Sequence, residues 1–168
     1  MRALKREGDG ATPLGYWPLK RIYYRRDRIA RPRTLLSAEP IGRHSGWCDA
    51  AGDRNYNRKV ALPYRASAEH LWRNDQLYDV IVVLGYNTAP RATGRGSAIF
   101  IHIARRSFAP TAGCIAMKRE HLIRLLAVLK RETVIATGNS LKSSSVAGAG
   151  SDKGRSPAFR ARVSWRRL

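Results

Sequence analysis

A histidine inside the apolar run Ile99-Phe100-Ile101-His102-Ile103 and, twelve positions on, a cysteine inside Thr111-Ala112-Gly113-Cys114-Ile115 are the residues of this chain best suited to covalent chemistry. A thiol is a weak nucleophile until a base or a positive environment makes it a thiolate. Imidazole is the usual base, because its unperturbed pKa lies near neutrality. Gly113 lets the backbone turn sharply and turns the amide N–H groups of Ala112, Gly113 and Cys114 toward a developing oxyanion. Thr111 is a supporting candidate through its hydroxyl. Taken singly, Cys114 also reads as an inert core thiol and His102 as a hydrogen-bonded core histidine. Taken together, they point to nucleophilic catalysis by a cysteine with a histidine base.

The elements that must position these two residues are partly legible. Val80 to Leu84 is a continuous β-branched run and predicts a buried central strand. Ser97 to Ile103 predicts a second one, with His102 near its end. Between them, Gly85 to Gly96 is a polar loop holding Tyr86, Asn87 and Arg91, which are candidates to approach a substrate or are ordinary turn residues. Leucine-type residues at 122, 123, 125, 126 and 129 give Arg119 to Lys130 one apolar helical face. That helix would direct its positive N-terminal dipole broadly toward Cys114. Leu19 to Tyr24 and Thr133 to Ala136 read as further strands, and Ser67 to Arg73 as a short helix capped by Ser67. Pro32, Pro40 and Gly42 mark a long irregular region running to about residue 60, pinned by Trp47, Tyr56 and Tyr64.

Several stretches carry a family resemblance. Gly96-Ser97-Ala98-Ile99-Phe100-Ile101-His102 followed by Thr111-Ala112-Gly113-Cys114 resembles the signature of the L,D-transpeptidase catalytic domain (the YkuD-like family). Lys5-Arg6-Glu7-Gly8-Asp9-Gly10-Ala11-Thr12-Pro13-Leu14-Gly15, Gly46-Trp47-Cys48-Asp49, Asp53-Arg54-Asn55-Tyr56-Asn57-Arg58 and Asp79-Val80-Ile81-Val82-Val83 extend it to residues 4–137, in the manner of one proteobacterial branch. The resemblance implies a mainly β, β-sandwich-like domain over residues 1–137, with one well-marked helix after the cysteine loop. It also implies that an initial strand and an export signal precede the Lys-Arg-Glu-Gly segment, so the start is expected to be truncated. Where the better-known branch has a histidine before Gly-Cys and an arginine two residues after, this chain has Ala112 and Ala116. The carry-over is therefore to His102 as general base and acid, Cys114 as nucleophile and Gly113 in the oxyanion hole.

Composition bounds the alternatives. The chain has 168 residues and a formal charge of +20. Residues 1–33 carry ten Lys/Arg against three acids, residues 34–137 fifteen against eight, and residues 138–168 seven against one. The charge is thus spread out rather than gathered in one nucleic-acid stripe, and no zinc-finger spacing or RNA-binding aromatic signature accompanies it. The four histidines show no paired metal-ligand spacing, so no metal and no cofactor is expected. No apolar run is long enough to span a membrane, and no signal peptide follows Met1. Cys48 reads as a small buried residue beside Trp47. From 138 onward a basic, Gly/Ser/Ala-rich tail without periodicity is expected to lack regular structure.

The leading functional expectation is L,D-transpeptidation of peptidoglycan stem peptides in the periplasm or cell envelope. Alternatives are L,D-carboxypeptidase action at the same site, or a catalytically retired basic module that binds wall or another polyanion. Arg95 and Arg105 are candidates to pair with substrate carboxylates, since guanidinium grips carboxylate bidentately; both also read as surface charge.

Overall fold

The structure is a computed structural model that describes Met1, residues 3–138 and the backbone of 160–161. Its elements run β1 (Gly15–Tyr24), β2 (Ala38–Pro40), β3 (Ser45–Cys48), β4 (Arg58–Ala61), β5 (Ala68–His70), β6 (Val80–Leu84), β7 (Phe100–Ile103), β8 (Ile115–Met117), α1 (Arg119–Val128), β9 (Val134–Thr137) and β10 (Arg160–Ala161). The large sheet has the order β10-β9-β1-β6-β7-β8, with β2 parallel to β1, and a second sheet has the order β4-β3-β5. The domain is therefore mainly β with one helix, as expected.

Period-two alternation in the two central strands divides the core. Val80, Val82, Leu84, Ile101 and Ile103 face one way and pack with Leu122 and Leu126 of α1. Ile81, Val83 and Phe100 face the other way and pack with Trp47, Leu71 and Tyr78 beneath the small sheet. Burying each of these Val, Ile or Leu side chains contributes about 1.5–3 kcal/mol, so the register of β6 on β7 is strongly determined. The pairing Ile81 to His102 and Val83 to Phe100 puts His102 on the small-sheet side.

Several local expectations need correction. Ser67 to Arg73 is not a helix: Ala68–His70 forms β5 and pairs with β3, Trp47 opposite Glu69. Pairing with a preformed neighbour outweighs a weak local preference for helix. The region before residue 60, expected to be irregular, holds β2, β3 and the first half of β4, in strands too short to show a period. The β7 ladder begins only at Phe100, because Ala98 takes a left-handed φ of 52° and breaks it. The helix stops at Val128, with Leu129 extended. Strand β8, too short to read in the sequence, stands between Cys114 and α1, so the helix N-terminus is a whole strand away from the thiol. A helix dipole acts within its first turn, and its proposed influence on Cys114 is removed. Arg160–Ala161 pairs with β9 in parallel; the rest of the tail expected to lack regular structure lies outside the described residues.

Asp79, just before β6, ties the turn after β1 to the start of α1. Its buried carboxylate accepts from Arg28 at 2.9 Å and from Arg119, the first residue of α1, at 3.2 Å. Its carbonyl accepts the N–H of Arg25 at 2.8 Å. Because both guanidinium groups are partly exposed and screened, Asp79→Ala is expected to cost about 2 kcal/mol, read as a lower midpoint in urea denaturation.

Candidate active site

The parallel register of β7 on β8 assembles the site. Ile101 pairs with Ile115 and His102 with Ala116, so Cys114 lies two residues before the partner of His102 and shares its face of the sheet. Both line a cavity of about 480 Å³ between the large sheet and the small one, together with Thr111, Ala112, Arg105 and Glu69.

His102 is 6% exposed. Its Nδ1 lies 2.8 Å from the carbonyl oxygen of Ile103. A carbonyl only accepts, so Nδ1 carries the hydrogen and Nε2 keeps its lone pair. Burial pushes the imidazole below its ordinary pKa, and the charges of Arg73 and Arg105 push the same way against the Ile103 hydrogen bond. At pH 7 the ring is thus a neutral base. Tyr78 packs edge-on against it, with ring centroids 5.5 Å apart. The Tyr78 hydroxyl in turn donates to Glu69 at 2.6 Å, and burial raises the pKa of that carboxyl.

The Cys114 thiol donates to the carbonyl of Ala98 at 3.1 Å and accepts the N–H of Phe100 at 3.4 Å. Burial pushes it up to about 12, only partly opposed by the Phe100 N–H. The resting pair is therefore thiol and neutral imidazole rather than thiolate and imidazolium. Thr111 Oγ1 donates to the Cys114 carbonyl at 2.6 Å, which staples the turn from its outer side. Gly113 has φ 105°, and a Cβ there would stand 2.5 Å from the carbonyl oxygen of Ala11. No other residue type fits. Among the described residues, the amides of Ala112 and Gly113 donate to no group of the chain.

The remaining candidates are placed differently. Arg105 lines the cavity, whereas Tyr86, Asn87, Arg91 and Arg95 do not. Tyr86 donates its hydroxyl to the Arg95 carbonyl and packs edge-on against Trp17. Asn87 binds Ala92 and Gly96 within its own loop. These residues shape the loop beside the site. Cys48 is buried, free and shifted upward by burial, in keeping with a small packing residue.

Asn57 is the residue that pattern reading passed over. It is buried at a left-handed φ of 56°. Its Oδ1 accepts from Trp47 Nε1 at 3.0 Å and from the Ala98 N–H at 3.1 Å. Its Nδ2 donates to the carbonyls of Tyr86 and Asn87. All four side-chain positions are thereby filled, and the Ala98 carbonyl is held where the thiol meets it. Its signals in sequence are its place in the stretch Asp53 to Arg58, which carries the family resemblance, and a residue type that tolerates φ above zero.

A thiol and a neutral imidazole thus share one cavity of a mainly β scaffold. The L,D-transpeptidase catalytic domain model (YkuD) matches residues 3–137, and the chain belongs to that family. No curated protein and no solved structure matches it significantly. Among the described residues, no helix is long and apolar enough to cross a membrane.

Asn57→Ala removes four buried hydrogen bonds and leaves their partners unsatisfied. It is expected to lower the unfolding free energy by about 3 kcal/mol, measured by urea denaturation. Asn57→Asp sets a buried carboxylate oxygen against the carbonyls of Tyr86 and Asn87, and is expected to cost at least as much as Asn57→Ala.

Proposed function

We propose that the protein is a cysteine acyltransferase acting on peptidoglycan stem peptides in the cell envelope, an L,D-transpeptidase in the strict sense. The observation that carries the reading is the tautomer of His102. With Nδ1–H held by Ile103, Nε2 is the one imidazole atom left to take a proton within the cavity that Cys114 shares.

The reaction then has two halves. Cys114 Sγ leaves the Ala98 carbonyl, gives its proton to His102 Nε2 and attacks the amide carbonyl that follows the stem's diaminopimelate. The N–H groups of Ala112, Gly113 and Cys114 receive the tetrahedral oxyanion, a contribution of roughly 3–4 kcal/mol per donor. His102 returns the proton to the leaving D-alanine amine, and a thioester remains. An acceptor amine attacks that thioester, loses a proton to His102 and regenerates the thiol. Arg73 and Arg105, both on the cavity wall, offer guanidinium groups to the stem's carboxylates. Neutrality of the resting pair suits this sequence. A base with its lone pair free removes the thiol proton as the substrate arrives, and no charge separation has to persist in a buried site.

Incubation with a disaccharide-tetrapeptide is expected to release D-alanine and to add the acyl mass to Cys114. Cys114→Ser and His102→Gln should each lower release by at least about 10³-fold. Cross-linked product with an added amine acceptor identifies transfer, and tripeptide alone identifies hydrolysis. Absence of both D-alanine and the adduct in folded protein would overturn the reading.

A further inference from the structure

Lys5 is 2% exposed, which is unusual for a lysine, and its place explains two glycines far apart in sequence. Its stem runs between the β6–β7 loop and the cysteine turn. A Cβ on Gly96 would lie 2.7 Å from Lys5 Cε, and one on Gly113 would lie 3.4 Å from Lys5 Nζ. The ammonium therefore packs against Gly113, the residue before Cys114. It is held there by Asp9 at 2.7 Å and by the Arg6 carbonyl at 3.3 Å. Asp9 is fixed in turn by the N–H groups of Arg6 and Ala11, each at 2.9 Å. First the Arg6 N–H, then Lys5 and the Ala11 N–H, keep its carboxyl far below the usual range. The Ala11 carbonyl, against which Gly113 packs, closes the same segment over the turn.

Nothing in the mechanism above uses this charge, yet burying a lysine costs several kcal/mol unless it is paired. We propose that Lys5 is the fixed cationic charge of the active site, stabilising the negative charge that develops on Cys114 Sγ and on the oxyanion at the Ala112–Cys114 turn. It is a positioning residue rather than a catalytic one, since it reaches the reacting atoms only through the turn. The other charged or titratable groups around the thiol are Glu7, Asp49, Glu69, Arg73, Tyr78, His102 and Arg105, all on the cavity wall. Lys5 does not line the cavity, so its charge acts without contact to whatever fills it. Burial pushes the thiol up, the Phe100 N–H opposes it, Glu69 adds to the rise, and the Lys5 charge draws the thiol down.

The proposal builds on the reading of Cys114 as nucleophile, but its test needs no peptidoglycan. The rate of iodoacetamide alkylation of Cys114 is followed against pH in the full chain by peptide mass spectrometry, which separates Cys114 from Cys48. Lys5→Met, which leaves Asp9 negative, is expected to slow alkylation about tenfold at pH 9, a shift of about one pKa unit. Lys5→Arg should keep the parent profile within about twofold. Asp9→Asn, which leaves Lys5 uncompensated, should speed alkylation about threefold. A purely structural role for the pair predicts changes of one sign in both charge-altering variants. An unchanged profile in a Lys5→Met protein that still unfolds cooperatively would overturn the proposal. If Lys5→Met does not fold, Asp9→Asn decides: faster alkylation supports the proposal, and an equal or slower rate overturns it. Failure to process stem peptide while these shifts are present would sink the functional reading alone.

Discussion

The hydrogen bond from His102 Nδ1 to the Ile103 carbonyl is local to one strand end, yet the chemistry of the cavity follows from it. It fixes the tautomer, and so decides which ring nitrogen can take a proton. Its strength depends on burial, since a backbone carbonyl exposed to water would hold the ring only weakly. That burial comes from Tyr78, packed edge-on against the imidazole and tied to Glu69. It also depends on the β6–β7 register, which turns Phe100 and His102 to one side and Ile101 and Ile103 to the other.

Around this ring the site is held by buried polar groups more than by apolar packing. Asn57 reaches across from the segment before β4 to the β6–β7 loop, and fixes Ala98 in a backbone conformation that alanine rarely adopts. Lys5 and Asp9 do the equivalent for the cysteine turn from the N-terminal side. Both are satisfied networks, which rigidify a site when complete and are costly when one member is lost. The cysteine turn and the strand beside it thus rest on segments remote in sequence.

The contrast between what was legible in the sequence and what was not follows from length of pattern. Val80–Leu84 and the apolar run around His102 announce buried strands by composition, and α1 shows its apolar face through Leu122 and Leu126. The His102–Cys114 pair was legible because its residue types are scarce and its turn needs glycine. Strands β2, β3, β5 and β8, of three or four residues, carry no period to read. Asn57 and Lys5 look like ordinary surface residues in sequence, and only the fold buries them. Tyr86 and Asn87 read as substrate-facing from their loop between the two buried strands and Arg95 from its guanidinium, whereas Tyr86, Asn87 and the backbone of Arg95 complete hydrogen bonds inside the loop.

The central claim is that the site rests as a neutral thiol beside a neutral imidazole with Nε2 unprotonated. Nitrogen-15 NMR of the histidine rings, titrated from pH 8 downward with His102→Gln to assign the signal, tests it most directly. The account predicts a protonated Nδ1 and an unprotonated Nε2 at pH 7. Because burial lowers the pKa of His102, that state should persist below the ordinary histidine value of about 6.5. An imidazolium signal at pH 7, with both nitrogens protonated, would contradict the account and point instead to a resting thiolate–imidazolium pair.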